Sequence, residues 1–120
     1  MEPTATPGAP RARTVAECLA EPSHAGPLDG AARVGEASRD GRFVRIGVWP
    51  RVGGVKARFR ATTCASLLAY AEVACEALEA GAPADARTLR TLLRDVHPRH
   101  QDRAELVAAA VRAALTEESP

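Results

Sequence analysis

The stretch VKARFRATTCASLLAYAEVACEALEAG, residues 55–81, changes its hydrophobic period partway along. Over residues 55–61 apolar and charged side chains alternate, which is typical of an antiparallel strand with one face toward solvent. Apolar side chains then recur at helical spacing, and Gly81 indicates the C-terminal end of a helix. The stretch therefore predicts a strand that leads directly into a helix. We expect Lys56, Arg58 and Arg60 to face solvent, and the helix to turn inward Leu67, Ala71, Ala74 and Leu78, with Leu68 and Cys75 beside them.

Cys64 lies at the junction between this strand and this helix. Thr62 or Thr63 is the predicted N-cap, and a thiol beside a helix N-terminus feels the positive end of the helix dipole, which favours the thiolate. Two interpretations follow. Cys64 is either a reactive thiol or a small buried side chain that fills space, and the second is the commoner outcome for a cysteine.

Composition excludes several classes of protein. The 120 residues suffice for one domain, and the formal net charge of +1 gives no electrostatic reason to expect nucleic acid or membrane partners. Cys18, Cys64 and Cys75 are widely spaced and odd in number, so we expect a reducing compartment, the cytoplasm, rather than a disulfide framework. No apolar run is long enough to span a membrane, and the N-terminus has no signal-peptide core.

The remaining segments are predicted from turn and capping signals. Residues 1–12 are rich in Pro, Ala and Thr and predict a disordered tail, followed by a single domain over 13–117. A short helix over 14–19, capped by Thr14, should turn Val15 and Leu19 inward, with Cys18 packed in the core. Residues 21–30 predict a loop in which His24 is interpreted as solvated.

The rest of the pattern gives a fold class. Strands are predicted over 32–38, at the edge, and over 43–49, joined by a turn at 39–41, and a hairpin at 50–54 leads to the strand at 55–61. A helix capped by Asp85 should end at Pro98, and a last helix should begin at Arg99 or Asp102 and end at Thr116. This order predicts an α+β fold, a small antiparallel three-stranded sheet with helices packed on one face and a long C-terminal helix. The predicted core includes Val44, Ile46, Val48, Leu67, Leu78, Leu93 and Leu106, and the last helix should turn inward Val107, Ala110, Val111, Ala114 and Leu115.

Candidate ligands stand at the junctions of these elements. The sequence has no glycine-rich phosphate loop, paired-cysteine zinc motif or nucleophile elbow. Asp40 lies in a turn, Cys64 begins a helix, and His97 and His100 precede the last helix. Carboxylate, thiolate and imidazole together suit zinc or ferrous iron, although spacing alone does not show that they meet and the histidines are equally compatible with an exposed loop.

Four stretches, in this order, resemble the NifU/IscU-type iron–sulfur cluster scaffold domain, with its SufE/NifU-type fold, over residues 15–115. They are EPSHAGPLDG with the following AARVG, residues 39–48, VKARFRATTCASLLAYAEVACE, and HPRHQDRAELVAAAVRAAL. The third is the strongest match, because it contains the family's strand, cysteine and helix. The family binds its cluster or zinc with three cysteines, a neighbouring aspartate and a histidine.

The resemblance implies a ligand set in this chain. The matching positions are Asp40 for the first cysteine, Arg42 for the aspartate, Cys64 for the second cysteine, His100 for the histidine and Gln101 for the third cysteine. A register shifted by one residue would instead place Arg39 at the first cysteine and Asp40 at the adjoining glycine. One ligand cysteine of three is present in either register, whereas a [2Fe–2S] cluster needs four ligands that are mostly thiolates.

Three functional hypotheses follow. In the first, the protein is a divergent scaffold, not an enzyme, that holds a labile cluster or a single zinc or iron ion through Asp40, Cys64 and His100, with Gln101 as a poor fourth ligand. In the second, it is a metal-free binding module that acts with a cysteine desulfurase or other cluster-assembly or sulfur-transfer proteins. In the third, Cys64 carries a persulfide.

Overall fold

The computed structural model describes residues 12–116, so that the predicted tail lies, except for Ala12, outside the described residues. The elements in chain order are α1 (Val15–Ala20), β1 (Arg33–Arg39), β2 (Arg42–Arg51), β3 (Gly54–Ala61), α2 (Ala65–Glu79), α3 (Ala86–Leu92), a 3-10 turn (Pro98–His100) and α4 (Arg103–Leu115). The predicted α+β class is confirmed. Within residues 12–116, no helix has the length and apolarity needed to cross a membrane.

The sheet is antiparallel, in the order β1-β2-β3. The turn between β1 and β2 contains Asp40 at φ 53° and Gly41 at φ 79°. Two successive positive φ angles match a two-residue type I′ hairpin, for which Asp-Gly is a preferred sequence because both residues tolerate the left-handed region. The predicted turn at 39–41 is therefore confirmed, and it places Arg39 directly opposite Arg42 in the register.

The inner face of the sheet carries the core. Val44, Ile46 and Val48 are each at most 1% exposed, as their alternation predicts. The register places them opposite Ala61, Phe59 and Ala57 of β3, so one face of both strands is apolar. On β1 the inner position is Gly35, where an added Cβ would lie 2.1 Å from the Ala110 carbonyl oxygen. The backbone of α4 therefore packs directly on the backbone of β1, and only glycine fits between them.

Helix α2 is the centre of the fold. It packs against β3, α1, α4 and α3, and it is buried on most of its circumference. The predicted inward residues Leu67, Ala71, Ala74 and Leu78 are all buried, because alanines allow close approach on several sides. Gly81, at φ 74°, takes the left-handed conformation that ends such a helix.

The predicted N-cap of α2 and the predicted C-terminal end of α3 are wrong. The N-cap of α2 is Cys64, because the Thr62 N–H bonds to the Phe43 carbonyl and so belongs to the sheet ladder. Helix α3 ends at Leu92 rather than at Pro98. Backbone hydrogen bonds between Arg13 and both Leu92 and Arg94 draw the chain out of the helical conformation there.

Several predicted side-chain orientations also differ. Leu19 is 38% exposed and Leu115 is 44% exposed, and each lies in the last turn of its helix. Leu106 is half-buried at the margin of the core. On the outer face Arg60 is exposed as predicted, but Lys56 and Arg58 are half-buried. The Lys56 ammonium lies 5.3 Å from the centre of the Trp49 ring.

The loop over residues 21–31 covers the edge of β3 and part of the outer face. The Phe59 N–H donates to the His24 carbonyl at 2.9 Å, and the Gly26 N–H donates to the Phe59 carbonyl at 3.1 Å. Leu28 and Ala31 pack over Gly47, where an added Cβ would lie 3.1 Å from each. The helices thus lie on one face of the sheet, and this loop lies on the other.

Candidate functional site

Cys64 occupies the junction of β3 and α2, in extended backbone conformation with φ −147° and ψ 117°. Its half-buried sulfur is approached by the Leu67 N–H of the first helical turn, although this contact is too loose to count as a cap hydrogen bond. Two guanidinium groups also interact with it, from Arg103 at the start of α4 and from Arg42 at the start of β2. Three separate elements therefore direct positive charge at one thiol.

The electrostatic surroundings favour the thiolate form. Burial raises the pKa of the Cys64 thiol, but the Leu67 N–H, Arg103 and Arg42 together lower it by more, so that the pKa lies below its ordinary value. The interaction with Cys64, partly offset by burial and reinforced by Asp102, raises the pKa of Arg103.

The other two cysteines have the opposite character. Cys18 and Cys75 are fully buried in the core. Burial raises the pKa of Cys18 to about 11, against a lowering effect of Arg13. Burial also raises the pKa of Cys75 well above its ordinary value. A buried neutral thiol is a poor nucleophile, so Cys64 is the thiol suited to chemistry.

The predicted site residues lie at the same end of the domain. The His100 Nδ1 lies 3.1 Å from the Ser66 hydroxyl oxygen, which places the 3-10 turn beside the first turn of α2. Asp40 lines a small surface depression together with Arg42 and Arg103, the two arginines that contact Cys64. Gln101 is exposed and serves as the C-cap of the 3-10 turn through its backbone.

These residues do not fit a metal site as they stand. Within residues 12–116, no group of three or more His, Cys, Asp or Glu side chains is placed to hold a metal ion, and Asp40, Cys64 and His100 are not gathered into one coordination sphere. Arg42 and Arg103 stand against the thiol and would repel a cation. A [2Fe–2S] cluster is a poorer fit still, because the other cysteines lie in the core.

A second polar cluster was not predicted, and it corrects the interpretation of His24 as solvated. The His24 side chain is 12% exposed, its Nδ1 lies 2.6 Å from Glu72 Oε2, and its Nε2 lies 2.9 Å from Glu79 Oε1. Glu72, at 1% exposed, also accepts hydrogen bonds from the Ser23 hydroxyl and the His24 N–H. Glu79 accepts from the Ala57 N–H at 2.8 Å, on the edge of β3 opposite β2.

This His24–Glu72–Glu79 cluster is ionised. Because each ring nitrogen of His24 faces a carboxylate oxygen, the ring must donate on both sides as an imidazolium. The hydrogen bond to Glu72, opposed by burial and reinforced by Glu79, raises the pKa of His24. Burial raises the pKa of Glu72, but its bonds to His24 and Ser23 outweigh this and leave the pKa lowered.

A sequence signal for the cluster did exist. Glu72 lies between Ala71 and Val73 in a helix whose surrounding residues are almost all apolar, and a carboxylate buried there requires a partner. Sequence spacing does not identify that partner, which comes from a loop that precedes the sheet. The cluster borders an open cavity of about 440 Å³ between the β2–β3 hairpin and α2, lined in part by Arg51, Glu76 and Glu79.

No family model matches the sequence, and no curated protein matches it. The resemblance to the NifU/IscU-type scaffold domain therefore stays a prediction. What the fold and the site define is an α+β protein with one activated thiol at the start of its central helix, flanked by two arginines.

Proposed function

We propose that the protein takes part in iron–sulfur cluster assembly as a sulfur carrier, which accepts one sulfane sulfur on Cys64. The observation that carries the proposal is the convergence of Leu67, Arg42 and Arg103 on the Cys64 sulfur. These groups favour the thiolate, which is the attacking form in sulfur exchange. They also suit the product, because a bound persulfide is an anion at the same position.

The transfer balances without an oxidant or a reductant. The Cys64 thiolate attacks the terminal sulfur of a donor persulfide, R–S–SH. The donor S–S bond breaks as the new S–S bond to Cys64 forms, and the donor leaves as the thiolate R–S⁻. The product Cys64–S–SH then loses its proton to solvent, and the two guanidiniums lie where they stabilise its negative charge. Attack by an acceptor thiolate reverses the step and passes the sulfur on.

A carrier accounts for the residues better than a cluster scaffold does. The position matched to the family's aspartate holds Arg42, and Arg103 also lies against the thiol, so two potential ligand places near Cys64 are cationic. A carrier needs one thiol and partners, which agrees with the resemblance-based expectation of a cysteine desulfurase or another cluster-assembly protein. In this proposal the protein is not itself an enzyme, and the reducing cytoplasm, where a single thiol stays reduced, is its compartment.

Binding of a single metal ion is the second candidate function. It is favoured by the placement of Asp40, Cys64 and His100 at one end of the domain. If the site closes around zinc, wild type should bind it and both Cys64→Ser and His100→Ala should bind more weakly. The affinity should then fall as the pH is lowered, because protons compete with the metal ion for the thiolate and the imidazole. Calorimetric titration of zinc at two pH values decides; equal affinity in all three proteins removes the metal site.

The sulfur carrier proposal is tested by mass spectrometry of protein incubated with cysteine persulfide. The Cys64 peptide should gain the mass of one sulfur atom, and a reductant should remove it. Peptides that contain Cys18 and Cys75 serve as internal controls and should stay unmodified, because both thiols are buried and protonated. Arg103→Gln should slow the reaction without preventing it. Absence of sulfur on Cys64, or equal labelling of the three cysteines, would refute the carrier function.

A further inference from the structure

Five arginines surround the end of the domain that carries Cys64, and we call them the arginine rim. They are Arg39, Arg42, Arg45, Arg60 and Arg103. The β1–β2 hairpin places Arg39 opposite Arg42, and the β2–β3 register places Arg45 opposite Arg60. Arg39, Arg42 and Arg103 line one depression, and the last two of these interact electrostatically with the Cys64 thiol. Four elements of the fold, β1, β2, β3 and α4, therefore contribute guanidinium groups to one end of the domain.

The rim has more positive than negative charge. Its carboxylates are Glu36, which lies 3.4 Å from Arg45, Asp102, which lies 2.7 Å from Arg103, and Asp40. Arg39 and Arg60 are exposed, and neither forms an ion pair with any other residue in the 12–116 range. Their charges are available to a partner.

Resting on the proposed function, we propose that the arginine rim is the docking surface for an acidic face of the protein that delivers sulfur to Cys64. Sulfur exchange requires the donor persulfide to reach a half-buried thiol, so the surface that surrounds the donor must lie against the rim. Exposed arginines on one partner and carboxylates on the other steer such an encounter and fix its orientation. The favoured occupant is thus a protein face rich in Asp and Glu.

The composition of the rim favours a protein over a nucleic acid. Glu36, Asp40 and Asp102 interrupt the arginines and would repel a continuous run of phosphates. The Arg45 guanidinium lies 5.4 Å from the centre of the half-buried Phe43 ring, and arginine and aromatic residues are both enriched at protein interfaces. A partner with mostly acidic and a few basic side chains can match both signs.

The test uses synthetic peptides that carry one cysteine persulfide, flanked by glutamates, by lysines or by uncharged residues. Sulfur transfer to Cys64 is followed by quenched mass spectrometry. At low salt the glutamate peptide should react on the order of tenfold faster than the lysine peptide. The difference should shrink as salt screens the charges. Equal rates for the two charged peptides, or a preference that salt leaves unchanged, would overturn the docking proposal.

A matched pair of variants assigns the preference to the rim. Arg39→Glu with Arg60→Glu should abolish or reverse the preference for glutamate, measured as the ratio of the rate with the glutamate peptide to the rate with the lysine peptide on the same variant. Arg87→Glu with Arg112→Glu makes the same change in net charge at exposed positions on α3 and on the last turn of α4. This control should retain the wild-type preference. Loss of the preference in both double variants would attribute it to net charge and refute a local docking surface.

A binding measurement separates this proposal from the carrier function. A glutamate peptide with serine in place of the cysteine cannot transfer sulfur, but it should bind wild type and fail to bind the Arg39→Glu, Arg60→Glu variant in fluorescence anisotropy. Rim-dependent binding with no sulfur transfer from any peptide would refute the carrier function and leave the docking surface standing. Sulfur transfer without rim-dependent binding would refute the docking surface and leave the carrier function standing. Competition by a single-stranded oligonucleotide stronger than that by the peptide would reassign the rim to nucleic acid.

Discussion

Replacement of His24 by glutamine should remove one of the largest single electrostatic contributions to the stability of this fold. The imidazolium of His24 joins the loop over residues 21–31 to two carboxylates of α2. Glutamine is neutral and cannot bond both carboxylates in the same geometry. The variant therefore leaves Glu72 buried, at 1% exposed, with the Ser23 hydroxyl and a backbone N–H as its remaining donors.

The expected loss in the free energy of unfolding follows from the burial of His24 and Glu72. Removal of one partner from a buried ion pair typically costs about 3–5 kcal/mol, because the remaining charge is left uncompensated. His24 is 12% exposed and Glu72 retains two donors, so His24→Gln should lower the free energy of unfolding by about 3 kcal/mol. Glu79 is 29% exposed and better solvated, so Glu79→Gln should cost about 1 kcal/mol or less. Glu72→Gln should resemble His24→Gln.

The stabilisation of the fold by the His24–Glu72–Glu79 cluster should depend on pH with a defined sign. The folded-state pKa of His24 is raised above its ordinary value of 6.5, so its contribution is complete below 6.5 and is lost as the pH rises through the folded pKa. The folded-state pKa of Glu72 is lowered below its ordinary value of 4.5, so its contribution is present above 4.5 and is lost as the pH falls through the folded pKa. The cluster should therefore stabilise the fold most between pH 4.5 and 6.5.

Denaturant unfolding across this pH range is the assay, with His97→Gln as the control. His97 is exposed, and its ring accepts a hydrogen bond from the Arg99 N–H within its own turn, so its replacement should change stability by less than about 0.5 kcal/mol. NMR titration of the His24 ring gives the folded pKa directly. A His24→Gln loss as small as that of His97→Gln, or a His24 pKa at or below 6.5, would refute the ionised cluster.

Two further predictions concern packing. Gly35→Ala should destabilise the fold by about 3 kcal/mol or more, because the new Cβ would lie 2.1 Å from a carbonyl oxygen of α4 and the helix must move. Gly54→Ala is the control, and it should be neutral or stabilising because no atom lies within 4 Å of its new Cβ. Equal unfolding midpoints for the two variants would contradict the close approach of α4 to β1. Leu67→Ala and Ile46→Ala should each cost about 2–5 kcal/mol as fully buried truncations, and Cys64→Ser should cost less. If denaturant melts show Cys64→Ser to be the most destabilising of these three, Cys64 is a packing residue.

The elements that the sequence predicts well are those whose signals are local. Alternation in β2 and β3 and helical spacing in α2 decide which faces are buried, and Val44, Ile46 and Val48 follow from alternation alone. The Asp40–Gly41 turn is likewise encoded by two adjacent residues. Boundaries that depend on partners elsewhere in the chain were predicted less well, as at Leu93, where pairing with Arg13 ends a helix that propensity would extend.

The same difference between local and non-local signals applies to the candidate site. That Cys64 begins α2, and so lies in the field of its helix dipole, could be predicted, because the change of hydrophobic period marks the junction. The contributions of Arg42 and Arg103 could not, since they depend on how β2 and α4 pack against that junction. The His24–Glu72 bond joins residues 48 apart in the sequence, and no local pattern encodes such a pairing.

Whether Cys64 is an activated thiol can be measured directly from the rate at which iodoacetamide alkylates it, followed against pH by mass spectrometry of the Cys64 peptide. We expect a midpoint below the pKa of an ordinary cysteine thiol. We also expect Arg103→Gln and Arg42→Gln each to move that midpoint upward, because each removes a positive charge from beside the sulfur. Peptides that contain Cys18 and Cys75 should react slowly at every pH at which the fold is intact. A midpoint at or above the ordinary value, unchanged in both arginine variants, would show that Cys64 is not an activated thiol.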